Sequence, residues 1–172
     1  DQGLFGTDFR ASERLAQSIV QVAGRAGRAE RAGEVLIQTE YPEHPLLAQL
    51  ISGGYDAFAA AALEERRAAS WPPFARVAVL RAEAARGDVP MEFLERARES
   101  ALGLAVRGVE ILGPATAPME RRAGLHRAQL LLHAPSHSPL QRLLARWIPA
   151  VEELPEARKV RWSIDVDPLE LF

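Results

Sequence analysis

The chain has 172 residues, 48% of them hydrophobic, enough for one full domain or for a small domain plus part of another, with a buried core. Cysteine is absent, which excludes a disulfide framework and any thiolate metal site within these residues. A net charge of −2 excludes a uniformly basic nucleic-acid binder, so any such binding rests on local patches of arginine and of Lys159. No apolar run approaches the length of a membrane span, no signal peptide opens the chain, and no membrane partner is expected. Asp1-Gln2-Gly3 does not read like a natural start, and an excised piece of something larger is expected.

Ser12 to Ala23 reads as a helix, with Ser12 as N-cap, Leu15, Ile19 and Val22 at helical spacing, and Gly24 as its stop. A glycine-punctuated, arginine-rich turn follows, ending at Gly33. Val35-Leu36-Ile37 is expected to be a short buried strand. His44-Pro45 opens a short helix through Ile51, with Gly53-Gly54 ending it, and a second helix runs from Asp56 to Ala69. Trp71-Pro72-Pro73-Phe74 cannot continue a helix, so a domain boundary is placed there, dividing 1–70 from 71–172.

Beyond it, Ala75 to Glu83 reads as a strand with Val77 and Val79 on one face. Pro90 to Leu104 is an amphipathic helix whose apolar stripe includes Phe93, Leu94 and Ala97. Val109 to Leu112 is a strand ended by Gly113-Pro114, and His126 to Leu132 is another. Ser138-Pro139 caps a helix to Ile148, buried through Leu140, Leu143, Leu144 and Trp147. Val160, Trp162, Ile164 and Val166 alternate as a last strand. The fold class is α/β of the α+β kind, and the order β-α-β-β-α-β predicts a ferredoxin-like arrangement.

Chemistry concentrates in Gln21-Val22-Ala23-Gly24-Arg25-Ala26-Gly27-Arg28. Phosphoryl transfer needs positive charge on the γ-phosphate in the transition state, and an arginine supplied across a cleft is worth roughly 10³–10⁵ in rate. Arginine suits the task because its planar fork stays charged and grips phosphate oxygens in pairs. Gly24 and Gly27 let the backbone turn tightly, and Arg25 and Arg28 point the same way if the turn stays helical. The same octapeptide also reads as a solvated basic loop or a nucleic-acid-contacting patch.

The octapeptide resembles the sixth conserved motif of superfamily-two helicases. With Gly3-Leu4-Phe5, Asp8-Phe9-Arg10, Glu13-Arg14 and Gln17 before it, the chain resembles the primosomal protein N′ (PriA) family of replication-restart DNA helicases. The likeness continues through Tyr41-Pro42-Glu43-His44-Pro45, Gly54-Tyr55-Asp56, Glu65-Arg66-Arg67, Pro72-Pro73, Leu112-Gly113-Pro114, Arg158-Lys159-Val160 and Asp165-Val166-Asp167-Pro168.

The resemblance implies the end of the second lobe of a RecA-like, 3′-to-5′ ATP motor, followed by a C-terminal domain similar to a small ribosomal-subunit protein. Arg25 and Arg28 would contact the γ-phosphate, with Gln21, Gly24 and Gly27 completing the nucleotide-side motif. ATP and magnesium would bind the intact parent, and zinc would bind cysteine clusters upstream. This piece alone would bind none of them and hydrolyse no ATP, because it holds no Gly-Lys-Ser/Thr phosphate loop. A cytoplasmic, nucleoid-associated location is implied.

Implied partners are forked or single-stranded DNA, single-stranded DNA-binding protein and other primosome proteins. Arg121, Arg122, Arg127 and Lys159 are the candidate phosphate contacts, with Arg158 and Arg161 beside them. His137 and Gln141 are the candidate contacts to the partner protein's tail, His137 standing where the family pattern has arginine. Asp165 and Asp167 face outward and read as a solvated pair, and no metal site is expected. The competing reading is a non-catalytic nucleic-acid or protein adaptor with a ferredoxin-like fold.

Overall fold

The computed structural model describes residues 3–5, 8, 10–26, 34–169 and 171. Its contacts divide the chain into two units, Asp1–Ala69 and Ser70–Phe172.

In the first unit, α1 spans Ala11–Ala26. It starts on Asp8 rather than Ser12. The nearly buried Asp8 carboxylate accepts from the Arg10 backbone N–H at 3.0 Å and from the Arg14 guanidinium at 2.7 Å. An anion at this end satisfies orphan amides and complements the helix dipole. The helix then runs through Gly24 to Ala26, so the expected stop at Gly24 is corrected. A glycine costs a helix only about 1 kcal/mol and by itself breaks no hydrogen bond.

His44 caps α2 (Pro45–Ala68) as expected, its Nδ1 accepting from the Leu46 N–H at 3.3 Å. The two helices expected around Gly53-Gly54 run together across a kink at Gly54, where φ is +72° and ψ −170°. Only glycine occupies that backbone region readily. Taken end to end, α2 has the length and composition of a membrane span, although no unbroken apolar run in it reaches that length. The kink divides it, and Leu46, Leu50 and Phe58 turn inward to form a small core with Ala16 of α1. Arg66 donates to Glu13 at 2.7 Å and Gln17 to the Tyr55 hydroxyl at 3.4 Å. Several residues that carry the family likeness are thus ties between these two helices.

Val35-Leu36-Ile37 departs from expectation. The segment pairs with no strand among the described residues, and Leu36 is 88% exposed. An apolar β-branched run specifies an extended backbone, but its N–H and C=O groups still require a neighbouring strand.

The second unit contains β1 (Arg76–Ala84), α3 (Asp88–Gly103), β2 (Glu110–Arg122), β3 (Leu125–Ala134), α4 (His137–Glu152), a short 3-10 turn (Pro155–Lys159) and β4 (Arg161–Val166). The sheet order is β2-β3-β1-β4, every neighbouring pair antiparallel. This is the ferredoxin-like α+β arrangement that the element order predicted. Helix α4 begins at His137 behind Ser136, two residues before the expected Ser138.

The core lies between one sheet face and the two helices. Ala78, Leu80 and Ala82 of β1 and Leu130 and Leu132 of β3 meet Phe93 and Leu94 of α3 and Leu143 and Trp147 of α4. The Trp147 indole N–H donates to the Ala97 carbonyl at 2.8 Å, bridging the helices inside the core. Val77 and Val79 belong to the opposite face and are buried too. Strand β2 does not end at Gly113-Pro114 but continues to Arg122. Register shifts between Leu112 and Ala115 and between Thr116 and Arg121 absorb the irregularity, with Gly113 at φ +98°. Bulges of this kind let an edge strand carry a proline without losing its partner.

Candidate nucleic-acid interface

Gln21, Gly24 and Arg25 occupy the last turns of α1, all exposed, and their i, i+3, i+4 spacing puts them on one helix face. A Cβ added at Gly24 would meet nothing within 4 Å. Arg25 makes no ion pair among the described residues and sits where the helix dipole favours a cation. It is a guanidinium available to an outside anion. Gly27 and Arg28 lie outside the described residues.

The second unit offers a larger surface. Because α3 and α4 cover one sheet face, the alternate residues of β1, β3 and β4 line the other. Register fixes their arrangement. Glu83 of β1 stands opposite Arg127 of β3 on one side and Arg161 of β4 on the other, and Arg81 stands between Gln129 and Ser163. These six side chains line a concavity of about 310 Å³, with Ala117 from the irregular stretch of β2 also in its lining. Arg81 is held by Asp165 at 3.0 Å. Glu83, Arg127 and Arg161 make no ion pair or side-chain hydrogen bond among the described residues.

The same end of the sheet gathers the basic residues that the sequence separates. Ala84 pairs with His126 and Glu83 with Arg161, so the β2–β3 turn and the start of β4 lie at one end of β1. Arg121 and Arg122 are exposed on the last pairs of β2, facing His126 and Leu125. The turn itself is Ala123-Gly124, both at positive φ, the geometry of a tight hairpin. Lys159 and Arg158 are exposed in the 3-10 turn entering β4. Arg121, Arg122, Arg127, Arg158, Lys159 and Arg161 therefore share one end of the domain.

His137 and Gln141 are exposed one turn apart at the start of α4, beside Arg142, whose guanidinium donates to the Ser138 hydroxyl at 2.5 Å. Asp165 pairs with Arg81, and Asp167 with Arg76 at 3.6 Å, so both outward carboxylates are engaged by arginines. No group of residues fit to hold a metal occurs among the described residues. At the far end of the sheet, His133 bonds through Nε2 to the Ser70 carbonyl at 2.7 Å and approaches Glu110 at 3.7 Å. That cluster tethers the chain entering β1. In the loop before α3, Arg86 hydrogen-bonds Asp88 and holds its carboxyl below the usual carboxylate range.

Arg81, Glu83 and Gln129 were not singled out from sequence. Their signal was the polar residues alternating with Ala78, Leu80 and Ala82, hidden because Val77 and Val79 make β1 apolar on both faces.

The family described as the Primosomal protein N C-terminal domain matches residues 67–169. Over 99% of its length the chain is 44% identical to the Replication restart protein PriA of Haemophilus influenzae, of which it covers 23%. It is 34% identical over its whole length to the protein of that name from Rickettsia conorii, covering 26%, and 32% identical over 98% to that from Bacillus subtilis, covering 21%. The chain thus spans about a quarter of the length of these curated relatives. A designed protein, Foldit4, aligns with 55% of the chain at a TM-score of 0.41 and 14% identity, too distant to inform the reading.

Proposed function

The chain belongs to the primosomal protein N C-terminal domain family, and on that premise we propose that it is the C-terminal quarter of an ATP-dependent DNA helicase that restarts stalled replication forks. What supports this most is the match to replication restart proteins along essentially the whole chain. In this reading the first unit contributes the arginine motif, Gln21 to Arg28, to an ATP site whose phosphate loop and magnesium ligands belong to the rest of the parent. Arg25 and Arg28 stabilise the transferring phosphoryl group, and Gln21 couples nucleotide state to lobe closure. The second unit contacts forked or single-stranded DNA through the basic end of its sheet, from Arg121, Arg122, Arg127 and Lys159. His137 and Gln141 contribute to docking single-stranded DNA-binding protein, and a cytoplasmic location follows from acting on the chromosome.

The test of the motor assignment is DNA-stimulated ATP hydrolysis by the intact parent. Changing Arg25 and Arg28 to alanine lowers it by about 10³ or more. The 172-residue chain alone is expected to show no hydrolysis above background. Full-speed hydrolysis by the doubly substituted parent refutes the role given to these arginines.

A further inference from the structure

Phosphate contact alone does not explain the charge pattern of the open sheet face. Glu83 stands in the middle of the concavity, level with Arg127 and Arg161. A carboxylate there repels every phosphate that approaches, and it equally disfavours an acidic peptide. Directly opposed residues on neighbouring strands stand close enough for opposite charges to pair. Yet these three make no ion pair among the described residues. Two cationic forks and one anionic acceptor are therefore left to a ligand that needs both signs of charge.

A nucleotide is such a ligand. Its phosphate is an anion, while the amino groups of cytosine, adenine and guanine are hydrogen-bond donors that a carboxylate accepts well. The volume, about 310 Å³, lies at the small end of ligand pockets and suits one base with its sugar. A base stacked inside a duplex reaches such a pocket only by being flipped out, whereas an unpaired base enters freely. The two arginines lie two strand spacings apart, about 10 Å at the backbone, so they can reach the phosphates on either side of one nucleotide. Their planar guanidinium groups also stack on bases, a role that aromatic side chains fill on other four-stranded sheets.

Resting on the reading that this domain touches DNA, we propose that the concavity seats one unpaired nucleotide and discriminates among bases. Arg127 and Arg161 hold its phosphates, and Glu83 accepts a hydrogen bond from the exocyclic amino group. Cytosine, with its N4 donor, is taken in preference to thymine, whose O4 acceptor meets the carboxylate unfavourably. Arg81, engaged by Asp165, lies deeper along the same face between Gln129 and Ser163.

The experiment is fluorescence anisotropy of the full 172-residue chain with labelled oligo-dC and oligo-dT of equal length, at neutral pH and fixed salt. The wild-type chain binds oligo-dC about tenfold more tightly. Glu83→Gln is nearly isosteric, and its amide offers a donor or an acceptor. The ratio therefore falls to within about twofold, chiefly through tighter binding of oligo-dT. Equal wild-type affinities overturn the proposal. So does a Glu83→Gln variant that tightens both oligonucleotides alike, since the carboxylate then only repels phosphate while DNA contact stands. Arg127→Ala with Arg161→Ala weakens both oligonucleotides, and unchanged affinity places DNA elsewhere on the domain. Binding of neither oligonucleotide by the wild-type chain removes the reading on which the proposal rests.

Discussion

Replacing Arg121, Arg122 and Arg127 together by alanine removes three positive charges from one end of the ferredoxin-like sheet. None of them makes an ion pair or side-chain hydrogen bond among the described residues, and the strand pairing beneath them is backbone-made, so the fold should survive. If each arginine neutralises one phosphate, the salt dependence of binding flattens by about 0.7 per contact on single strands. The slope of log affinity against log salt then falls by about 2. The same arithmetic gives roughly a 50-fold loss of affinity near 0.15 M salt, shrinking towards nothing near 1 M. Anisotropy titrations across a salt series measure both quantities, with circular dichroism to show that the sheet is intact. Arg146→Ala, on the exposed side of α4 across the sheet, serves as control and should leave both unchanged. An unaltered slope in the triple variant refutes phosphate contact by these arginines.

Three further outcomes follow from packing, backbone geometry and charge pairing. Trp147→Ala empties a fully buried site and removes the N–H donor to Ala97, costing about 3–5 kcal/mol, and thermal unfolding registers it; a loss below about 1 kcal/mol contradicts the core assignment. Gly54→Ala meets no steric neighbour, so its cost of roughly 1–3 kcal/mol comes from backbone conformation alone, read in the same melts. A change near zero means that the kink relaxes. Asp88 has a lowered folded pKa, so its contribution to stability is present above the ordinary carboxylate pKa and lost as pH falls through the folded value. Asp88→Asn therefore melts lower than wild type at neutral pH, and the gap closes in acid; a gap constant across that range refutes the pairing with Arg86.

Periodicity was enough to place most elements of the second unit, because α3, β3 and α4 each bury a stripe that the local sequence writes out. Leu140, Leu143, Leu144 and Trp147 recur at helical spacing, and Trp162 and Ile164 at strand spacing, and these turn inward. The expectation of an arginine motif rests on something different, residue types and spacing that are local to one stretch of chain. What local sequence left undecided is whatever depends on a neighbour. Val35-Leu36-Ile37 has the composition of a buried strand, yet burial requires a partner strand, and none pairs with it among the described residues. Gly113-Pro114 carries a stop signal, yet β2 goes on pairing with β3 past it through shifts of register.

The open-face concavity shows the same division most sharply. Arg81, Glu83, Arg127 and Arg161 are scattered over 81 residues, and each alone is an ordinary charged residue of a strand. Antiparallel pairing of β3, β1 and β4 sets three of them in one row. Sequence by itself determined which residues are charged, which stripes are apolar and in what order the elements come, since those depend on side-chain chemistry and spacing along one chain. Tertiary structure alone decided which charges face one another, because strand order and register are set by the burial of the opposite, apolar face.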